Sequence, residues 1–325
     1  EQPMRCKTLT AIYRNEVKSP RTHVNLIFHS RIYQHSYNAV NERTIIINST
    51  SEQSVNDLIA VLTKIERLLM LFDGCFMSLL SIEFQDSTGC VPHHLKVYAE
   101  HFMRNRLAYF HSNKIFFQQY LLDFSKALTP ALYEKWESIL EDLDVAHQVY
   151  LYSLCDTNQP VDLRCAFLIE LAEPVVEIVK ANCPLFESLN PGKQGTSLRD
   201  CLRALITTYG SDIFENEINS CFETFLKSLV NSRVRIMHIK RNCHGSYLNR
   251  PESILYSIKI SFLYRIVLLN LLGISPSLYH ENLISNIQRW NSWNDIMDNC
   301  ITYKNSLVAL LLFALSVVKH AIGAF

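Results

Sequence analysis

The stretch that decides the fold runs from residue 212 to residue 273 and reads DIFENEINSCFETFLKSLVNSRVRIMHIKRNCHGSYLNRPESILYSIKISFLYRIVLLNLLG. Its first part predicts a helix over residues 213–238, because apolar side chains recur at three- and four-residue steps and so share one face. These side chains are Phe214, Ile218, Cys221, Phe222, Phe225, Leu226, Leu229 and Val230. Residues 254–272 predict a second apolar helix, which Gly273 closes.

A polar and basic segment separates the two predicted helices. Residues 231–244 read NSRVRIMHIKRNCH, so basic and histidine side chains abruptly follow an apolar face. Residues 245–252 are then a polar turn region. A basic cluster that carries histidine is therefore expected where one long helix ends and before its partner begins.

The segments FLKSLVNSRVRIMH and YSIKISFLYRIVLLNLLGIS together resemble the C-terminal half of a HEPN domain, closest to the ApeA-like branch. The mark of that family is an Arg, four to six residues and then a His, before a hydrophobic helix that ends in Leu-Gly. Arg233 and His238 fit this spacing, and the resemblance covers about residues 161–275.

The resemblance implies a metal-independent endoribonuclease that needs no cofactor, binds RNA and is active as a homodimer. It also implies a role in antiviral defence (abortive infection) or as a toxin, with a trigger or antitoxin protein as a further partner. Arg233 and His238 are then the catalytic pair. Phosphate contacts are expected from Arg235, Lys240, Arg241 and His244. Related domains place an acidic residue near the pair, and the candidates here are Glu170, Glu173 and Glu177.

The chemistry of RNA cleavage suits an Arg and a His. RNA supplies its own nucleophile, the 2′-hydroxyl, and cleavage needs a base, an acid for the leaving 5′-oxygen and positive charge on the phosphoryl oxygens. Histidine exchanges protons near neutral pH because its ordinary pKa is about 6.5, and arginine can hold two phosphate oxygens. Residues five apart point about 140° apart on a straight helix. The helix must therefore end or distort between Arg233 and His238, or two chains must each contribute a pair.

Other interpretations of the same residues remain open. Most HEPN members carry a polar residue directly after the Arg, whereas this chain has Val234, which favours a non-catalytic scaffold that binds RNA, a nucleotide or a protein. The helix dipole alone also favours positive side chains near a helix C-terminus. The spacing itself is weak, because composition gives roughly two such matches by chance, and His111 also pairs with Arg104 or Arg106. A membrane-associated effector is not favoured, because the apolar run 307–318 is too short to span a bilayer.

The chain is predicted to have an α+β fold, with a mixed α/β unit followed by a mainly helical, HEPN-like bundle. The predicted domains are the N-terminal unit at 1–90, a helical connector at 91–157, the bundle at 158–275 and a helical extension at 276–325. Strands are predicted at 23–28 and 43–48, and a strand or short buried segment at 75–84. Helices are further predicted at 58–72, 93–110, 114–128, 131–154, 163–180 and 198–209.

Several residues are predicted to begin or break these helices. Ser54 with Asp57, Ser197 with Asp200, and Asp162 alone are placed to cap helix starts. Pro174 is expected to kink or split the helix at 163–180.

Composition narrows the class of protein. The 325-residue chain is 48% hydrophobic, has only 8 Gly and 10 Pro, and carries no net charge, which is typical of a helix-rich globular protein. Its ten Cys are scattered, no two form a CxxC pair, and Cys243-His244 lacks two further ligands at zinc-like spacing. The cysteines therefore predict reduced thiols in a cytoplasmic protein, with Cys201 and Cys221 on apolar faces, and no metal site.

Overall fold

The computed structural model describes residues 4–14, 23–28, 31–38, 42–77, 79–109, 119–154, 160–192, 196–239 and 245–292. These residues have an α+β architecture, as predicted. An antiparallel sheet and its covering helix come first, and the described elements that follow the last strand are helices.

The sheet contains the strands β1 (Arg5–Arg14), β2 (His23–Phe28), β3 (Arg31–Asn38), β4 (Glu42–Ser54) and β5 (Leu79–Gln85). Their order is β2-β3-β4-β1-β5, and every neighbouring pair is antiparallel. The strands predicted at 23–28 and 43–48 are confirmed, and the segment at 75–84 contributes β5. Alternate residues of β1 and β4, such as Leu9 and Ile45, are buried, so one face of the sheet points into the core.

Helix α1 (Val55–Asp73) packs against β1 and β4. Its predicted cap is confirmed, because Ser54 Oγ accepts a hydrogen bond from Asp57 N at 3.4 Å. The helix begins at Val55, three residues before its predicted start at residue 58. Its predicted end is confirmed by Gly74, which follows the helix at φ +66°. A Cβ at Gly74 would lie 2.3 Å from Arg265 Nη1, so this position needs glycine for its conformation and for space.

The described helices after α1 are α2 (His93–Tyr109), α3 (Phe124–Ala127), α4 (Pro130–Leu154), α5 (Val161–Glu170), α6 (Ala172–Lys180), α7 (Leu198–Tyr209), α8 (Glu215–Met237) and α9 (Arg250–Leu271). Residues 280–292, in the predicted C-terminal extension, are also helical. The helices predicted at 93–110, 131–154 and 198–209 are confirmed to within a residue or two. Ser197 and Asp200 form the predicted capping box at the start of α7, with both of its hydrogen bonds present.

The helix predicted over residues 114–128 is wrong in its described part. Only α3 is helical there, and the described residues that precede it are not. Leu121 N donates to Phe72 O at 3.0 Å, and Asn282 Nδ2 donates to Leu121 O at 2.7 Å. Distant partners thus satisfy the backbone groups that a helix would have paired locally. The rest of this prediction lies outside the described residues.

Pro174 divides the helix predicted over 163–180 into α5 and α6, as expected. Proline has no N–H to donate to the carbonyl of Glu170, so the helical ladder fails there and α5 ends. The predicted cap at Asp162 is wrong. Helix α5 already begins at Val161, so Asp162 lies within its first turn, and the residue before the helix, Pro160, makes no side-chain capping bond.

Helix α8 turns most of its predicted apolar face inwards, with one correction. Phe225, Leu226 and Leu229 are buried, whereas Cys221 is exposed. The backbone at Cys221 leaves the helical region, with φ −148° and ψ 67°, and this kink rotates the residue off the apolar face.

Helix α9 begins about one turn before its predicted start. Asn249 and Glu252 form a capping box, which places the first helical residue at Arg250. The predicted end is confirmed, because Gly273 has φ +77° and Ile274 N donates back into the last turn of α9.

Helix α9 is a core helix. Among the described helices it alone is long and apolar enough to cross a membrane, but 78% of the apolar window is buried inside the protein. Arg265 of α9 is 0% exposed. Its Nε, Nη1 and Nη2 donate at 2.6 Å, 2.7 Å and 2.7 Å to the carbonyls of Leu71, Gln119 and Phe72. These bonds join α9 to the end of α1, and one hydrophobic core continues from the sheet into the helices.

Candidate active site

The predicted catalytic residues lie where α8 ends against α5. Arg233 is in the last turns of α8, and His238 is the residue directly after the helix. Glu170 is the last residue of α5, which packs along α8. Two helices thereby bring three side chains to one place.

Arg233 and Glu170 form a two-pronged ion pair. Arg233 Nε donates to Glu170 Oε2, and Nη2 donates to Oε1 at 2.5 Å. Hydrogen bonding to the carboxylate raises the pKa of Arg233, so the guanidinium stays charged. Two parallel bonds fix the plane of the guanidinium as well as its position. Of its five N–H donors, three remain for another ligand.

His238 lies on the side of the guanidinium that Glu170 leaves free. Its Nε2 is 3.4 Å from Arg233 Nη1, and the imidazole is exposed. Because arginine only donates, a hydrogen bond between these atoms requires a neutral imidazole with its proton on Nδ1. That form has an accepting nitrogen beside the guanidinium and a donor on the opposite side of the ring.

The end of α8 explains how residues five apart converge within one chain. The helix stops at Met237, His238 has φ −103° and ψ 4°, and Ile239 has φ +51°. His238 N still donates to Val234 O at 3.1 Å, so the last turn stays closed while the chain leaves the helix. The long Arg233 side chain spans the angle that remains. The contact therefore follows the first of the two predicted routes, a helix that ends between the two residues.

Glu170 is the one of the three acidic candidates that contacts Arg233. Glu173 is half-buried near by. Its pKa is raised, because burial and the charge of Glu170 outweigh the opposite effect of Arg233. Glu177 is exposed on α6 and has no described contact with Arg233. The break after Glu170 puts this residue on α5 and the other two on α6, so the three do not lie on the single helix that their spacing predicted.

Hydrogen bonds fasten the returning chain to α8. Asn231 Nδ2 donates to Ser246 O at 2.9 Å, and Leu248 N donates to Ser232 Oγ at 2.8 Å. Leu248 is buried. Residues 245–249 are thereby held against the last turns of α8.

The side chain of Arg235 does not lie beside that of Arg233. Two helical steps turn about 200°, and Arg235 instead lies over the Tyr247 ring, with its guanidinium carbon 4.2 Å from the ring centroid. The other predicted phosphate contacts, Lys240, Arg241 and His244, lie outside the described residues, as does His111.

A buried charge pair at the other end of α8 was not predicted. Lys259 Nζ donates to Glu217 Oε1 at 2.6 Å, and Lys259 is 1% exposed. Burial lowers the pKa of Lys259, and the carboxylate opposes that shift. Burial and the same carboxylate raise the pKa of Tyr256. In the sequence, the feature that could have predicted this pair was Lys259, a single lysine within the apolar run of α9. The pair lies roughly 24 Å along α8 from Arg233 and so belongs to the core.

Comparisons of the chain with family models, with curated proteins and with solved structures find no match. Within the described part of the chain, no group of three or more His, Cys, Asp or Glu side chains is placed to hold a metal ion. A functional assignment therefore depends on the geometry of the site itself.

Proposed function

We propose that this protein is a metal-independent endoribonuclease of the HEPN type. The observation that carries the proposal is the contact of Glu170, Arg233 and His238 at the end of α8. It supports the proposal because the fixed positive charge of Arg233 is in contact with the exposed imidazole of His238, a group that can exchange protons. Phosphodiester cleavage by an internal nucleophile needs both groups.

In the proposed reaction the RNA 2′-hydroxyl attacks the adjacent phosphorus. A histidine takes the proton of that hydroxyl, and the bond from phosphorus to the 5′-oxygen breaks as this oxygen gains a proton. Arg233 binds the phosphoryl oxygens with the donors that Glu170 leaves free, and so stabilises the charge that builds up on them. The products are a 2′,3′-cyclic phosphate and a free 5′-hydroxyl.

The proposal includes a homodimer. One histidine serves either as base or as acid in a given step, and the reaction needs both. A second copy of the chain supplies a second histidine if the two sites face each other. The proposed setting is a cytoplasmic enzyme of antiviral defence or toxin action, held in check or activated by a protein partner.

The first test is cleavage of labelled RNA by the purified protein in excess EDTA. We expect cleavage to persist, because side chains supply the proton transfer and the charge stabilisation. A substrate with one 2′-deoxyribose at the scissile position should stay intact, since it lacks the nucleophile. Gel analysis identifies the cyclic phosphate and 5′-hydroxyl ends, and a metal-dependent nuclease in the same buffer controls for chelation. Equal cleavage of the deoxy substrate would contradict the mechanism.

Glu170→Ala is expected to lower the cleavage rate by up to about 10²-fold, because Arg233 loses the partner that fixes its plane, and misplacement costs rate steeply. The thermal midpoint should hardly move, since a partly exposed ion pair contributes little to stability. Single-turnover rates and a melting curve measure the two effects. Glu177→Ala, the exposed candidate on α6, is the matched control and should cut at the normal rate. Equal rates for both variants would show that Glu170 does not position Arg233.

A second candidate function is an RNA-binding scaffold without catalysis. Two observations favour it: Glu170 neutralises Arg233 with two hydrogen bonds, and Val234 stands where related domains carry a polar side chain. This alternative predicts RNA binding without cleavage, and the EDTA assay distinguishes it from the enzyme.

A further inference from the structure

An exposed stacked pair, Arg235 and Tyr247, lies beside the candidate site. The guanidinium carbon is 4.2 Å from the ring centroid, which is cation–π distance. Tyr247 is 44% exposed, and Arg235 is exposed as well. Tyr247 takes no part in the hydrophobic core, so burial does not account for its position. The pair presents flat, cationic and aromatic surface to solvent.

Both chain neighbours of Tyr247 are fixed to α8. Ser246 accepts from Asn231 through its carbonyl at 2.9 Å, and its Oγ is 3.0 Å from the Oγ of Ser228. On the other side, Leu248 is buried and donates to Ser232. The ring is therefore presented from a segment held by two backbone bonds and one side-chain bond, which lowers the entropy cost of ordering it against a ligand.

The last turn of α8 places His238 next to the stacked pair. His238 N still donates to Val234 O at 3.1 Å, so the backbone of His238 continues that turn and lies near Arg235, three residues before it. Arg233 contacts His238 from the other direction, with Nη1 3.4 Å from Nε2. His238 thus lies between the guanidinium that Glu170 fixes and the pair that Tyr247 forms.

We propose that Arg235 and Tyr247 are a stacking platform for an unpaired nucleobase next to the phosphate at Arg233 and His238. This inference rests on the proposed function and adds to it a base-binding subsite made of Arg235 and Tyr247. It gives Arg235 a different role from the phosphate contact that the sequence predicted.

The chemistry of the pair favours a nucleobase as its occupant. Every base has a π-face, and unstacked bases lie on aromatic rings and on arginine planes in single-strand binding proteins. Arg233 and Arg235 flank His238 with positive charge, which complements a phosphate backbone. A base inside a duplex is already stacked on both faces, so paired RNA cannot use the platform.

The test is equilibrium binding of a fluorescent oligoadenylate of about eight nucleotides with 2′-O-methyl riboses. The methyl groups block the nucleophile, so binding is measured apart from cleavage. Tyr247→Ala should weaken binding roughly 5- to 150-fold, the range that follows from 1–3 kcal/mol per stacked base. Tyr247→Phe keeps the ring and should keep most of the affinity. Tyr152→Ala, at an exposed tyrosine on α4, is the matched control.

A second probe removes the base instead of the ring. An abasic oligonucleotide of the same length should bind the wild type weakly, and Tyr247→Ala should weaken it no further, because the two changes remove one interaction. Circular dichroism checks that the variants are folded. An equal loss with both probes would mean that the ring acts through the fold, and the platform would be wrong.

The outcomes separate the platform from the nuclease. Unchanged oligoadenylate binding by Tyr247→Ala overturns the platform, even if the wild type cuts RNA. Binding that depends on Tyr247, in a protein that cuts no RNA, supports the platform and removes the nuclease proposal.

Discussion

His238→Ala is expected to lower the rate of RNA cleavage by about 10²–10⁴-fold, the range typical of a lost general acid–base group. The fold should be unaffected, because His238 is exposed and lies beyond the last turn of α8. Arg233→Ala should cost about 2.7–4 kcal/mol of transition-state stabilisation, as for one lost charge-stabilising donor. Single-turnover rates on a fluorescent RNA measure both variants.

Two histidines serve as controls for that experiment. His280 is exposed, and its Nε2 is 3.1 Å from Asp212 Oδ2, so His280→Ala removes a surface hydrogen bond and should leave the rate unchanged. His111→Ala tests the other match to the Arg-His spacing and should also leave it unchanged. If His111→Ala abolished cleavage while His238→Ala did not, the site would lie elsewhere in the chain.

Arg265→Met is expected to lower the free energy of unfolding by about 3–5 kcal/mol. Arg265 is buried, and its three donor nitrogens serve the carbonyls of Leu71, Gln119 and Phe72. Methionine fills part of the volume but donates nothing, so three carbonyls each lose a hydrogen bond, although Leu121 N still donates to Phe72 O. Urea unfolding followed by circular dichroism measures the change.

Arg203→Met is the matched control, because Arg203 also donates through Nε, Nη1 and Nη2, but on the surface. Its partners are Glu223 and Asp200, and exposed ion pairs contribute little to stability. We expect a far smaller shift of the unfolding midpoint than for Arg265→Met. Similar midpoints for the two variants would contradict the structural role assigned to Arg265.

Local signals in the sequence predicted much of the fold. Ser54, Gly74, Ser197 and Gly273 mark helix ends through bonds to residues a few positions away, so the sequence itself contains both partners. The break at Pro174 follows from one missing N–H. Helix geometry also predicted that α8 must end or distort between Arg233 and His238 if the two side chains are to meet within one chain.

Features that depend on distant residues could not be predicted. Leu121 leaves the helical path because Phe72 and Asn282 bind its backbone, and neither partner is near it in sequence. The same holds for the choice of Glu170 among three glutamates, which depends on how α5 packs along α8. The contact of Arg235 with Tyr247 could not be predicted either, because it depends on residues 245–249 lying against α8.

The bonds of Arg265 also constrain the order of events during synthesis. Its partners in α1 lie 194 and 193 residues earlier in the chain, at Leu71 and Phe72. At typical translation speeds those carbonyls emerge from the ribosome roughly 10–40 s before the guanidinium that will bind them. Until then the end of α1 lacks its buried partner. The carbonyls of Leu71 and Phe72 therefore wait for a helix that is made late, and the end of α1 reaches its final hydrogen bonding only after α9 has left the ribosome.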